Sequence, residues 1–116
     1  MALVLCAGID PVLVKTRQLI LERAGHTVIP ALDEEAMLAA CEQHLFDVAV
    51  IGQRVSPKLK RRILSLLRER CPTTKILEMY LVSTGRVLED ADSWLEAPVA
   101  VPQEFAERVA ALAEKS

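Results

Sequence analysis

Five short apolar runs, each closed by a glycine, a proline or a polar turn, divide this chain into units of similar length. Residues 2–7 (ALVLCA) end at Gly8, 26–31 (HTVIPA) run into Asp33, and 47–51 (DVAVI) end at Gly52. Residues 76–82 hold a fourth run, and 97–101 a short fifth before Pro102. Runs this short, apolar on both faces, are the pattern of strands buried in a parallel sheet. The segments between them carry helical spacing. Pro11 suits a first helical position, Leu13, Thr16, Ile20 and Ala24 recur at intervals of three and four, and Gly25 is placed as the stop. Asp33 reads as an N-cap followed by Glu34 and Glu35, where the helix dipole favours carboxylates, with Ala36, Ala39, Ala40 and Leu45 as a narrow inward face. Ser56 and Pro57 open a third helix striped by Leu59, Ile63, Leu66 and Leu67, and Pro102 opens a last one with Phe105, Val109 and Leu112 inward.

Strands alternating with helices predict an α/β domain whose parallel sheet is covered on both sides. Pro30 has no N–H to give, so it confines the second strand to an edge or to its own end. One unit breaks the rhythm. Ser83, Thr84 and Gly85 interrupt the stretch between Tyr80 and Trp94 and read as a turn, which leaves room for one or two helical turns over 86–91. The fourth helix is therefore expected to be shortened.

A length of 116 residues suits a single domain spanning 1–116. A net charge of −2 argues against general attraction to nucleic acid or anionic lipid. No apolar run approaches the roughly 20 residues of a membrane span, and the N-terminus lacks the charged region and cleavage site of a signal peptide. Three cysteines, Cys6, Cys41 and Cys71, are an odd, widely spaced set without a CxxC, which speaks against a disulfide framework. The expectation is a cytoplasmic protein.

The order of these units and several local strings resemble the receiver (CheY-like) domain of bacterial two-component response regulators. Pro11 with Gly25 in LERAGHTV (residues 21–28) looks like that family's first helix and second strand. Residues 46–51 (FDVAVI) look like its third strand, and ADSWL (91–95) followed by Ala97-Pro98 is similar to the stretch leading into the fifth. The resemblance implies a flavodoxin-like, doubly wound sheet in the order 2-1-3-4-5. It also implies a set of functional positions: an acceptor aspartate ending the third strand, an acidic pair after the first that helps to hold magnesium, a switch hydroxyl ending the fourth and a lysine after the fifth. An acyl phosphate needs a carboxylate nucleophile, while the metal and the lysine offset charge in the transition state.

This chain departs at every one of those positions. Gly52 stands at the acceptor, Gly8 and Ile9 at the acidic pair, Tyr80 at the switch hydroxyl, and Ala97 before Pro98 in place of the lysine. Glycine has no side chain to phosphorylate, and isoleucine offers no oxygen to a hard cation. Asp10, the one carboxylate near the end of the first strand, sits before Pro11 as a helix cap. No cofactor or metal is expected.

Other enzymatic signatures are also lacking. The residue six after Cys6 is Val12 rather than the arginine of a small phosphatase loop, so Cys6 reads as a buried strand residue. The four glycines form no phosphate loop, and His26 and His44 are isolated, read as solvated or edge residues. Two features point outward. Lys58, Lys60, Arg61 and Arg62 cluster at a helix N-terminus, where bases oppose the dipole; they read as a solvated face or as a docking patch for an acidic partner. Nucleic acid fits less well, because no aromatic is interleaved for stacking. Trp94 and Tyr80 fall on the surface that, by the resemblance, serves receivers for dimers and partners: the fourth helix, fifth strand and fifth helix. Trp94 reads either as an interface anchor or as a filler over the short helix.

The function expected is a non-enzymatic, phosphorylation-independent receiver-like module that binds signalling proteins, with a homodimer through that same face as a further expectation. Two alternatives stand beside it: phosphotransfer through a displaced carboxylate, with Asp47 nearest in sequence, and a small-ligand sensor in the vacated pocket beside Gly8 and Gly52.

Overall fold

The computed structural model describes residues 2–114. In it the chain runs β1 (Leu3–Ala7), α1 (Pro11–Arg23), β2 (Thr27–Ala31), α2 (Glu34–Gln43), β3 (Val48–Ile51), α3 (Pro57–Arg70), β4 (Lys75–Leu81), β5 (Ser93–Ala97) and α4 (Pro102–Glu114). All strand pairs are parallel, in the order β2-β1-β3-β4-β5. Side chains alternate between two apolar layers. Val4, Cys6, Val48, Val50, Leu77 and Met79 meet Val14, Leu21, Phe105 and Val109 of α1 and α4. Leu5, Ala7, Ala49, Ile51 and Ile76 meet Met37, Ile63 and Leu67 of α2 and α3.

Capping chemistry sets the helix starts. The Asp10 carboxylate accepts the N–H groups of Val12 and Leu13 at 3.0 and 3.4 Å. Asp33 accepts that of Ala36 at 2.8 Å, and the Ser56 hydroxyl that of Leu59 at 3.3 Å. Each satisfies donors that the first turn leaves open. Gly25 follows α1 with φ +96°, a conformation that an L side chain resists. Pro30 lies on the edge strand β2, opposite Cys6.

Several expectations need correction. The buried face of α1 is Val14, Arg17 and Leu21, while Thr16 and Ala24 are exposed. The face of α2 is Met37 and Ala40, and Leu45 lies 86% exposed beyond the helix end. β5 is Ser93–Ala97 rather than 97–101, because the ladder with β4 pairs Leu77 with Ser93 and ends at Ala97, before a proline without an N–H. The Ala97–Pro98 peptide is cis. The shortening of the fourth helix goes to completion: residues 82–92 contain no helix, so the helix expected as the fifth is α4.

His26 is buried rather than solvated, and its Nδ1 accepts the Ala2 N–H at 3.1 Å. Burial lowers its pKa from the ordinary value of 6.5. Below that value the unfolded chain takes up the proton more readily than the folded one, so this contribution to stability is whole above it and declines as pH falls. The urea midpoint should therefore drop between about pH 7 and pH 5, and His26→Gln should flatten that slope.

Candidate functional site

The carboxyl ends of β1 and β3 bring Gly8, Ile9 and Gly52 together. The Gly8 N–H donates to the Ala31 carbonyl at 3.1 Å and the Gly52 N–H to the Ala7 carbonyl at 3.0 Å, which ties both residues to the sheet. Adjacent strand ends in an open α/β sheet form the crevice where ligands are usually bound. Here that crevice is closed. Gly8, Ile9, Gly52, Asp10, Arg17 and Arg54 surround a space with no room for a water molecule.

Arg17 of α1 closes it. The side chain is only 8% exposed, and its Nη2 donates to Oε1 of Gln53. A Cβ at Gly52 would stand 2.9 Å from Arg17 Nη1, and one at Gly8 would stand 3.0 Å from Val14 Cγ2. Both glycines therefore allow α1 to approach more closely than a larger residue would. Burial lowers the Arg17 pKa, with Cys6 and Asp10 acting the other way. Next to it, burial raises the Cys6 thiol to about 11 against the pull of Arg17, so Cys6 is a protonated core residue.

The oxygen donors that a divalent ion requires are not assembled here. Asp10 is committed to the cap of α1 and lies 3.6 Å from Arg54. Among the described residues no three His, Cys, Asp or Glu side chains converge. Magnesium, which the resemblance implies, does not fit this residue set. Asp47 lies at the far end of β3, where its Oδ2 accepts the Leu3 N–H at 2.8 Å.

A second constellation replaces the missing helix. Lys60 was expected on the exposed basic cluster, but α3 turns it inward. Its Nζ meets Glu78 Oε2 and the Met79 carbonyl, each at 2.8 Å, and the two side chains are 2% and 0% exposed. Lys58, Arg61 and Arg62 remain exposed, with Arg62 paired to Glu34. The Glu78 carboxylate also accepts the N–H of Val87, at 3.1 and 3.0 Å, and that of Leu88 at 2.8 Å. One buried carboxylate thus organises the loop over 82–92. Leu88 packs beneath it, and its carbonyl accepts the Trp94 indole N–H at 2.8 Å. Trp94 is half-buried, and the Arg86 guanidinium lies 4.7 Å from its ring and 5.8 Å from that of Tyr80. Tyr80, Arg86 and Trp94 thus form one stack at the surface. Ala97, the other expected position, lines a separate cavity shared with Arg17.

The sequence matches no protein-family model and no curated protein. Solved structures do match across nearly the whole chain. A response regulator receiver domain from Clostridium thermocellum superposes with a TM-score of 0.81 at 17% identity, covering 97% of this chain and 94% of the other. The chemotaxis response regulator CheY4 of Vibrio cholerae gives 0.80 at 21% identity, covering 97% and 98%. The receiver domain of the Francisella response regulator 1452 gives 0.75 at 19%, covering 98% of each. The fold is that of a response-regulator receiver domain. In this receiver fold the expected positions 8, 9 and 52 converge, but they frame an arginine that sequence reasoning had not singled out. Its signal was available: Arg17 lies three residues after Val14 and four before Leu21, on one helical stripe. Glu78 was equally legible as a lone acid within the apolar fourth strand.

Two stability predictions follow from this geometry. Lys60→Met strands the buried Glu78 charge and should lower stability by about 3 kcal/mol or more, whereas Arg61→Met on the exposed face should change it by less than about 0.5 kcal/mol; urea denaturation separates them. Gly52→Asp gives Arg17 a carboxylate partner and should be more stable than Gly52→Ala by about 1 to 3 kcal/mol. That advantage should vanish in an Arg17→Met background.

Proposed function

We propose that this chain is a phosphorylation-independent, receiver-like interaction module of a bacterial two-component pathway, acting in the cytoplasm without enzymatic activity of its own. One observation carries the reading: the buried Arg17 guanidinium rests against Gly52, where a receiver would present its acceptor carboxylate. A fixed cation in that place does part of what a metal and a lysine do, yet it has no nucleophile to serve. The loop over 82–92 supports the same reading. A segment tied to a buried carboxylate by two backbone amides has little freedom to report a distant charge.

The surface offered to a protein partner is the stack of Tyr80, Arg86 and Trp94, with Arg61 beside the 82–92 loop. Large rings with one wet face and an arginine are the residue types that anchor interfaces. The same stack would serve in a homodimer, built on the loop, β5 and α4 because residues 82–92 form no helix. No helix is long and apolar enough to cross a membrane among the described residues.

The test adds magnesium with acetyl phosphate, and separately with beryllofluoride, while following Trp94 emission and intact mass. The expected result is no mass gain and unchanged emission. A gain of one phosphoryl group that disappears in Asp47→Asn would establish the displaced-acceptor alternative instead.

A further inference from the structure

A cavity of about 220 Å³ opens between α1, the carboxyl end of β5 and the start of α4. It is distinct from the closed crevice at Gly8 and Gly52. Its walls are apolar, built from Leu13, Ile20, Met79 and Phe105, and its polar end is Arg17 with Gln53. Arg17 is the notable member. A guanidinium offers five N–H donors, but the side-chain hydrogen bond of this largely buried group goes to a neutral amide, Oε1 of Gln53. The four ion pairs among the described residues do not include it. Among the described residues no side-chain nitrogen or oxygen is both sealed from solvent and unpaired, so the guanidinium N–H groups that Gln53 does not engage keep access to solvent and to a ligand. The bond to Arg17 uses the Gln53 oxygen, and Gln53 itself lines the cavity.

We propose that this cavity is a binding site for a small organic anion, a monocarboxylate with a compact apolar tail. A planar carboxylate matches the guanidinium fork with two parallel hydrogen bonds, and the tail lies against Leu13, Ile20, Met79 and Phe105. Size sets the scale: a 150 Å³ apolar cavity accepts benzene, so this one suits roughly ten non-hydrogen atoms. A phosphate dianion is disfavoured, since the second nearby cation, Arg54, is engaged with Asp10 at 3.6 Å. The proposal goes beyond the interaction-module reading and does not depend on it. Binding would fasten α1 to α4, two elements that pack on the same face of the sheet.

The test is an NMR titration of the full chain with benzoate, with neutral benzamide, and with inorganic phosphate. Benzoate should give saturable shifts at residues 13–20 and 97–105, with benzamide about tenfold weaker or more and phosphate giving no saturable shifts there. Arg17→Met should abolish the benzoate response. Val99 also lines the cavity, so Val99→Trp, which fills it and leaves Arg17 in place, should do the same and keeps the test valid if the first variant unfolds. Absence of saturation by benzoate would overturn the proposal, as would equal binding of benzamide or phosphate, or undiminished binding in the Val99 variant.

Discussion

Lys60 and Glu78 meet at 2.8 Å with almost no exposure on either side chain, and the unusual half of this domain is arranged around that contact. A buried ion pair is not in itself a strong source of stability, because desolvating two charges offsets most of their attraction. Here the compensation comes from number. Glu78 receives the lysine and two backbone amides, and the lysine also donates to the Met79 carbonyl, so each charge has more than one hydrogen-bond partner. The same bonds connect three pieces of chain: α3, β4 and the loop over 82–92. A helix at that position would satisfy its own amides. This loop delegates two of them to a side chain, and Trp94 then covers the result.

At the other extreme is Arg17, a largely buried cation whose side-chain partner is a neutral amide. Receiver-like geometry places strand ends side by side so that charged groups can cooperate on a ligand. In this chain the strand ends carry Gly8, Ile9 and Gly52, and the guanidinium of Arg17 from α1 lies against Gly52. The room for the proposed anion lies on the α4 side of Arg17 rather than over the sheet edge.

Much of the fold was legible because it depends on local rules. Asp10, Asp33 and Ser56 cap helices wherever their neighbours are helical, and Pro30 restricts its strand to an edge whatever lies beside it. The convergence of Gly8, Ile9 and Gly52 could be anticipated from the resemblance, since strand order decides which turns become neighbours. Lys60, by contrast, looked like one of four equivalent bases. Its difference from Arg61 is a rotation of one residue around α3, visible only once Glu78 is known to lie beneath it. The fifth strand was misplaced for a related reason. Residues 97–101 are as apolar as a strand should be, but the ladder is decided by partners on β4, and these select Ser93–Ala97.

The sequence by itself determined the alternation of strands and helices, the helix starts, and the residue types lacking at the expected phosphorylation positions. All of these follow from side-chain chemistry or periodicity within a few residues. The tertiary structure decided which charges are buried and against what. Arg17 and Gly52 are 35 positions apart, and Lys60 and Glu78 are 18 apart. Whether such groups oppose, pair or ignore one another depends on how two elements lie across a sheet. That placement is the collective outcome of packing both apolar layers at once, and no single segment of the chain contains it.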